Sequence, residues 1–220
     1  LNDTVQQNKI NPLIGRTEEV SELELILARK TKSNAVLVGP AGTGKSAIVE
    51  GVAKLVVEKK VSKSLENAEF WSLEMGTLVA GTKYRGEMEE RLKNIITSIT
   101  KLSNDGRNMV LFIDEIHTMM GAGGNTSTSL DVGNMLKPSL ARGDFKVVGA
   151  TTEEEYRKYF EKDKAMTRRF QKIQVNEPSV KDAIEILMGL KPLYEKFHGV
   201  KYDKNSITEA VELSHRYINN

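Results

Sequence analysis

The most specific segment of the chain runs Ala35-Val36-Leu37-Val38-Gly39-Pro40-Ala41-Gly42-Thr43-Gly44-Lys45-Ser46. Its opening apolar run stops at Gly39-Pro40, which is typical of a buried parallel strand that ends in a turn. The part from Gly39 to Ser46 satisfies the pattern G-x-x-x-x-G-K-[ST] of a phosphate-binding loop. Residues 47–57 then have a helical pattern, and this order of strand, loop and helix favours a phosphate loop over a chance glycine-rich turn.

The composition of that loop suits a triphosphate. Glycines let the backbone curl so that successive N–H groups point at phosphate oxygens, and the N-terminus of the following helix adds a partial positive charge. We expect Lys45 to neutralise β- and γ-phosphate oxygens and the Ser46 hydroxyl to ligate Mg²⁺. The predicted ATP-binding residues of the loop are Gly39, Pro40, Ala41, Gly42, Thr43, Gly44, Lys45 and Ser46.

A second candidate strand ends in two acids. Residues 109–113 are apolar and are followed by Asp114 and Glu115. Asp114 can hold the Mg²⁺ shell, and Glu115 can orient and deprotonate the attacking water. The alternative is an exposed strand end with two solvated acids. Together with the phosphate loop, the pair predicts nucleotide hydrolysis with ATP and Mg²⁺.

The chain alternates between strand-like and helix-like segments up to residue 175. Strand-like runs cover 35–38, 70–73, 109–113, 145–148 and 173–175, and helical patterns cover 18–29, 47–57, 87–102 and 132–141. Such alternation predicts an α/β fold with a mostly parallel five-stranded sheet and helices on both faces. Ligands of these sheets bind beyond the carboxyl ends of the strands.

After Glu177-Pro178 the pattern becomes purely helical, with helices predicted over 180–190 and 206–217. We therefore expect a large α/β nucleotide-binding domain over 1–177 and the start of a small helical domain over 178–220. The chain opens with Leu1 rather than Met, and we expect a piece of a longer protein.

Composition excludes several classes of function. The 220 residues include no Cys, which excludes a disulfide scaffold, thiolate catalysis and Cys-based zinc sites and fits a reducing compartment. Apolar runs last about five residues, far below the roughly 18 to 20 that a membrane span needs. With 32 Lys and Arg against 30 Asp and Glu, the charge is too balanced to attract phosphate backbones or anionic membranes. We therefore expect neither nucleic acid nor membrane as a partner.

Further motifs occur in a fixed order: Asn11-Pro12-Leu13-Ile14-Gly15-Arg16, then residues 81–87, 111–118, 136–143, 149–152, 161–163, 168–170 and 177–179. Together with the phosphate loop they resemble the AAA+ ATPases, and among them the first nucleotide-binding domain of the Clp unfoldases and disaggregases. The likeness spans nearly the whole chain and implies an AAA+ P-loop fold with ATPase activity in an oligomer.

The resemblance implies catalytic roles that spacing does not. Thr152 matches the sensor-1 residue that reads the γ-phosphate, and it also suits the N-cap of a helix over 153–158. Arg168 and Arg169 match the arginine fingers that act on the neighbouring subunit's nucleotide. The alternative for the two arginines is a solvated basic pair. With Glu115 and Lys45, these residues complete the predicted catalytic set.

The resemblance also implies binding roles. Lys83, Tyr84 and Arg85 match a loop that grips extended polypeptide in a hexameric pore, although a locally packed surface loop is the alternative. Residues 121–127 resemble a second pore loop, in which we expect disorder. Ile14, Gly15 and Leu187 match the adenine pocket, although they also suit the core.

Other conspicuous side chains are expected to be structural. We expect His117, His198 and His215 to be structural or solvated because they show no metal-ligand spacing. We expect Trp71, Met119 and Met120 to be packing residues.

The function that the resemblance implies is an ATP-dependent unfoldase or disaggregase motor. Its partners would be five further copies in a homo-hexamer, unfolded or aggregated polypeptide, and a peptidase or adaptor. The compartment would be the bacterial cytoplasm or an organelle matrix or stroma. Three alternatives stay open: a nucleotide-gated assembly scaffold, an AAA+ nucleic-acid motor and a monomeric P-loop switch.

Overall fold

A five-stranded parallel sheet forms the centre of the protein. The computed structural model describes residues 1–6, 12–74, 78, 85–119 and 132–218. The strands are β1 (Asn34–Val38), β2 (Ala68–Leu73), β3 (Asn108–Ile113), β4 (Lys146–Thr151) and β5 (Phe170–Gln174), in the order β2-β3-β4-β1-β5. All neighbouring strands pair in parallel, which confirms the predicted sheet.

The bounds of all five strands differ from the predicted ones, and those of β4 and β5 differ most. β4 continues to Thr151 because its small residues Gly149 and Ala150 still pair with Val36 and Leu37 of β1. β5 begins at Phe170 rather than 173. Its outer position in the sheet leaves Gln171 and Gln174 exposed, so its apolar pattern is too sparse to mark where it begins.

Helices precede, connect and follow the strands. In the described ranges they are α1 (Asn2–Gln6), α2 (Thr17–Leu27), α3 (Lys45–Val57), α4 (Arg85–Asn104), α5 (Val132–Arg142), α6 (Glu153–Glu155), α7 (Lys164–Thr167), α8 (Val180–His198) and α9 (Lys204–Tyr217). A 3-10 turn covers Ile116–Met119, and a π-helical turn covers Tyr156–Phe160. The predicted helix over 153–158 is therefore one α-turn that continues as a π-turn.

The sheet is covered on both faces, as predicted. Along β3, Leu111 and Ile113 belong to a core with α4 and α5, whereas Val110 and Phe112 belong to a second core with α2 and α3. Alternate residues of a strand point to opposite faces, so β3 joins the two cores. Each fully buried Leu, Ile or Phe contributes about 1.5–3 kcal/mol, and these contacts hold the strand ends in place.

The C-terminal helices differ from the layered part. α8 begins at the cap Ser179, whose Oγ accepts a hydrogen bond from Asp182 N at 3.2 Å, and it ends at Gly199 with φ 68°. It continues past its predicted end at residue 190 and runs through Pro192. The proline lacks an N–H and so removes one helical hydrogen bond, but the helix does not end there. Neither α8 nor α9 contains a fully buried residue.

Two smaller predictions have mixed outcomes. Trp71 is 49% exposed, so its prediction as a packing residue is wrong; on the outer strand β2 it follows the buried Phe70 and faces the opposite side. Met119 is fully buried, as predicted, and Met120 lies outside the described residues. Within the described ranges, none of the helices combines the length and apolar composition needed to cross a bilayer.

Candidate nucleotide-binding site

The predicted loop and acids meet at one edge of the sheet. The loop over 39–46 follows β1, Asp114 and Glu115 follow β3, and Thr152 follows β4. Because β3, β4 and β1 are adjacent and parallel, their carboxyl ends lie side by side, where ligands of such sheets bind. The Gly39 N–H donates to Thr151 O at 3.2 Å and thereby ties the loop to the end of β4.

Glycines in the loop meet two different requirements. Gly42 and Gly44 have φ angles of 78° and 86°, which a residue with a side chain rarely adopts. At Gly39 the requirement is space, because a Cβ there would lie 1.9 Å from Val175 O. The loop can therefore curl only with glycine at these positions.

Lys45 is held inside the loop. Its Nζ donates to Gly39 O at 3.0 Å and to Pro40 O at 2.6 Å. Burial lowers the pKa of Lys45 below the usual lysine value, although the nearby Asp114 and Glu155 carboxylates act in the opposite direction. The ammonium group is thus positioned at the loop before any phosphate replaces its carbonyl partners.

Ser46 and Asp114 form the oxygen pair expected of a magnesium site. Ser46 Oγ donates to Asp114 Oδ2 at 3.1 Å, and Asp114 Oδ1 accepts from Glu115 N at 2.9 Å. No group of three or more His, Cys, Asp or Glu side chains in the described residues could hold a metal on its own. Mg²⁺ commonly uses one or two protein oxygens, with substrate phosphates and water as its other ligands, so the pair fits this ion.

Glu115 sits on a constrained turn. Its φ of 49° is left-handed, and its carbonyl oxygen accepts hydrogen bonds from Thr118 N at 2.9 Å and from Thr118 Oγ1 at 2.8 Å. The next residue, Ile116, is fully buried and packs so closely on Gly149 that a Cβ there would lie 2.7 Å from Ile116 Cδ1. The turn keeps the carboxylate of Glu115 exposed at the edge of the sheet.

Thr152 forms the predicted cap. Its Oγ1 accepts from Glu155 N at 3.4 Å and its backbone N–H donates to Glu155 Oε2 at 3.4 Å, and these two bonds form a capping box. The Thr152 hydroxyl also donates to Glu155 Oε2 at 2.8 Å. His117 joins this group through Nε2, 2.9 Å from Glu155 Oε1, and through Nδ1, 3.1 Å from Thr151 Oγ1. These contacts place His117 within the site.

Sequence reasoning missed His117, Glu155 and Thr151 as site residues. His117 is structural, as expected, but it also lines the cavity beside the acids. The signal that could have found it is its place three residues after Asp114. The contact with Glu155 spans 38 positions of sequence and depends on how β3 and β4 are paired.

Two cavities lined by described residues adjoin the loop. One, of about 540 Å³, is lined by Ala41, Gly42, Gly44, Lys45, Ser46, Glu74, Asp114, Glu115, His117, Thr151, Thr152 and Glu155. The other, of about 450 Å³, lies between the loop and the C-terminal helices, with Leu187, Ala210 and His215 in its wall. Ala41 and Gly42 line both cavities. The loop therefore separates a polar cavity, with several charged side chains in its wall, from a less polar cavity lined mostly by uncharged ones.

The three predicted adenine residues do not meet in one wall. Leu187 lines the less polar cavity and is 41% exposed, whereas Ile14 and Gly15 are not among its lining residues. Ile14 instead packs on α8, where a Cβ at Gly189 would lie 2.0 Å from Ile14 Cδ1. The adjacent Arg16 donates to Thr43 O at 3.0 Å and Asn176 O at 2.7 Å, so this segment braces the loop.

The arginine pair lies at the opposite edge of the sheet. Arg168 and Arg169 precede β5, whose first residue, Phe170, pairs with Asn34 at the start of β1. The phosphate loop follows the other end of β1, about 13 Å away at roughly 3.3 Å per strand residue. The structure therefore does not bring these arginines to the loop of their own chain.

Several predicted residues cannot be placed. Asn11, Lys83 and Tyr84 lie outside the described residues, as does the segment 121–127. Arg85 begins α4, and nothing is described of its side chain.

A phosphate loop after β1 and an acid pair after β3 are recurring parts of the P-loop nucleoside triphosphatases. The family model of the AAA ATPases, the ATPase family associated with various cellular activities, matches residues 35–177, and the model of the AAA lid domain matches residues 179–220. The chain belongs to the AAA family of ATPases.

Similar proteins support the resemblance to the Clp unfoldases and disaggregases. The chain is 50% identical over 219 residues to chaperone protein ClpB 1 of Synechocystis, covering 99% of this chain and 24% of that protein. It is 52% identical over 214 residues to chaperone protein ClpB of Lactococcus lactis, covering 97% of this chain and 24% of that protein. The chain thus spans about a quarter of the length of these curated relatives.

Solved structures agree. The ADP complex of S. cerevisiae Hsp104 matches with a TM-score of 0.88 at 45% identity, covering 99% of this chain and 30% of that one. A closed-state reconstruction of Hsp104 with ATPγS and casein matches with a TM-score of 0.86 at 45% identity, covering 99% and 36%. These matches confirm the AAA+ fold and the resemblance to the Clp proteins.

Proposed function

We propose that this chain is the ATP-hydrolysing motor domain of a Clp-type protein unfoldase or disaggregase. The observation that carries the proposal is the polar cavity at the carboxyl edge, where Lys45, the Ser46–Asp114 pair and Glu115 converge. The similarity of the chain to ClpB chaperones and to an Hsp104 structure with a nucleotide analogue and casein gives further support. Residues 1–177 would form the nucleotide-binding domain and 178–220 part of the small helical domain.

The site residues have distinct roles in the proposed reaction. Backbone N–H groups of residues 39–46 bind the triphosphate, and the Lys45 ammonium moves from Gly39 O and Pro40 O to phosphate oxygens. Ser46 and Asp114 would hold Mg²⁺, which would neutralise charge on the phosphates. Glu115 takes a proton from water as the water oxygen bonds to the γ-phosphorus, and the bond to the bridging oxygen breaks to leave ADP and phosphate.

The nucleoside end of ATP would occupy the less polar cavity. Leu187 lies in its wall, and Ile14 packs on Gly189, two residues further along α8. We propose Leu187, Ile14 and Gly15 as the adenine-binding residues. Thr152, which the capping box holds at the end of β4, would sense the γ-phosphate.

A neighbouring subunit would complete the site. Because Arg168 and Arg169 lie a strand length from the loop of their own chain, their proposed action on phosphate requires a second copy. A guanidinium group stabilises the charge that spreads over phosphoryl oxygens in the transition state. A ring of six copies would place the arginine edge of each chain against the loop edge of the next.

Polypeptide would be gripped in the central pore of that ring by Lys83, Tyr84 and Arg85, since an aromatic ring flanked by cations contacts any side chain. A peptidase or adaptor would bind outside residues 1–220. The protein would act in the bacterial cytoplasm or in an organelle matrix or stroma.

Tyr84→Ala tests the gripping role of the proposed pore loop. The variant should spare ATP hydrolysis but abolish unfolding of a tagged substrate, and persistent unfolding would refute the gripping role.

The test of the proposed function is Glu115→Gln in the assembled full-length protein. The amide keeps the size of the side chain but cannot accept the proton, so ATP should still bind while turnover falls by about 10²-fold or more. Calorimetric titration measures binding, and phosphate release with and without unfolded protein measures turnover. Unchanged turnover would refute the role of Glu115, and stimulation by DNA rather than by unfolded protein would indicate a nucleic-acid motor.

A further inference from the structure

The candidate site contains a polar bridge that the roles proposed above leave unused. His117 lies in the 3-10 turn that follows Asp114 and Glu115, and its side chain is 15% exposed. Its Nε2 lies 2.9 Å from Glu155 Oε1, and its Nδ1 lies 3.1 Å from Thr151 Oγ1. The imidazole therefore joins the turn after β3 to the segment after β4.

Glu155 extends this bridge to Thr152. Its second oxygen, Oε2, accepts hydrogen bonds from Thr152 Oγ1 at 2.8 Å and from Thr152 N at 3.4 Å. Oε2 also accepts from Thr151 Oγ1 at 3.4 Å, so Oε1 is the oxygen that contacts His117 directly and Oε2 binds the two threonines. A continuous line of contacts runs from the turn of Glu115 through His117 and Glu155 to Thr152.

The backbone of Glu115 shows why such a bridge is needed. A left-handed φ of 49° is unfavourable for a residue with a side chain and persists only where the surrounding structure holds it. Burial of Ile116 against Gly149 holds the turn from the core side. His117 holds it from the cavity side, with its ring stacked on Tyr159 at a centroid distance of 6.1 Å.

We propose that His117 is a positioning residue for ATP hydrolysis, which fixes the turn of Glu115 relative to Thr152 through the carboxylate of Glu155. The inference rests on the proposed function, in which Glu115 activates water beside the γ-phosphate that Thr152 senses. His117 itself does not contact the reacting atoms in this scheme. It couples the acid of one strand end to the sensor of the next, so that both keep one geometry.

A matched pair of substitutions separates the two contacts of His117. In His117→Gln the amide nitrogen takes the place of Nε2 and keeps the bond to Glu155, whereas in His117→Asn it takes the place of Nδ1 and keeps only the contact with Thr151. In hexamers of the full-length protein, His117→Asn should lower kcat by about 10- to 100-fold with KM for ATP changed less than about 2-fold, since small misplacements cost this much. His117→Gln should recover most of kcat.

Two further measurements make the test specific. Hydrogen exchange at the Thr118 amide, which donates to Glu115 O, should speed up in His117→Asn but not in His117→Gln. The double variant His117→Asn/Glu155→Ala should be no slower than Glu155→Ala, because both changes break the same bridge.

The inference is overturned if both His117 variants keep wild-type kcat, if both lose kcat equally, or if the double variant shows additive losses. Measuring Glu115→Gln in parallel distinguishes failure of the inference about His117 from failure of the proposed function. If Glu115→Gln still turns over, the proposed function is wrong. If Glu115→Gln is inactive and His117→Asn matches the wild type in kcat and exchange, only the role of His117 is wrong.

Discussion

The two edges of the sheet carry the two halves of the proposed site, and they are built differently. At the carboxyl edge, side chains from three strand ends bond to one another, as between Ser46 and Asp114 and between His117 and Glu155. At the amino edge Arg168 is exposed, and Arg169 donates to Ala165 O of its own segment at 2.6 Å. In one chain, the hydrogen-bonded side chains of the proposed nucleotide site thus lie at the carboxyl edge, and the two arginines lie at the opposite edge.

The largest effect should come from the amino edge. Arg168→Ala/Arg169→Ala should lower turnover by about 10³- to 10⁵-fold, the contribution of an arginine finger, while the affinity for ADP stays within about 2-fold. Phosphate release and calorimetric titration in the hexamer measure the two quantities. Lys181→Ala, which removes an exposed cation of α8, is the control. Loss of ADP affinity together with turnover would indicate that the two arginines act in the nucleotide site of their own chain.

Lys45, the cation at the carboxyl edge, should lose its charge within a pH range in which the arginines stay charged. Burial lowers the pKa of Lys45, so its charge is present below that pKa and is lost at less alkaline pH than for an ordinary lysine. ADP affinity should then fall by up to about tenfold per pH unit above the pKa of Lys45. Lys45→Arg stays charged throughout and should show a flat profile. Equal slopes in the two proteins by calorimetry would contradict this assignment.

A smaller effect should come from the residue that anchors the amino edge. Asn34 is 6% exposed, accepts from Val147 N at 2.8 Å and donates to Arg169 O at 3.2 Å. Asn34→Ala leaves both partners unsatisfied and should lower the free energy of unfolding by about 1–3 kcal/mol, without changing ADP affinity.

Chemical denaturation and calorimetry measure the two properties of Asn34→Ala. Ser33→Ala, one residue earlier and less buried than Asn34, serves as the control. A weaker ADP affinity at unchanged stability would show that the two edges are not independent.

Features of the site that depend on a few consecutive residues could be predicted from the sequence. The loop over 39–46, the acid pair after β3 and the cap at Thr152 each depend on spacing within one segment, and the structure places all three as expected. The sheet followed from the same kind of pattern, because buried parallel strands are short apolar runs.

Features that depend on pairing between distant strands could not be predicted. The contact of His117 with Glu155 exists because β3 and β4 are neighbours, and the extension of β4 through Gly149 depends on its pairing with Val36. The course of α8 through Pro192 shows a further limit, since proline is only a statistical signal for a helix end.

We propose that the carboxyl edge of one copy and the amino edge of the next form a single active site. Mixed hexamers of Glu115→Gln and Arg168→Ala/Arg169→Ala subunits test it directly, because each variant alone lacks one half. Phosphate release should reappear on mixing, at interfaces that join intact Glu115 to intact arginines. A mixture no more active than either variant alone would contradict it, provided that the subunits are shown to exchange.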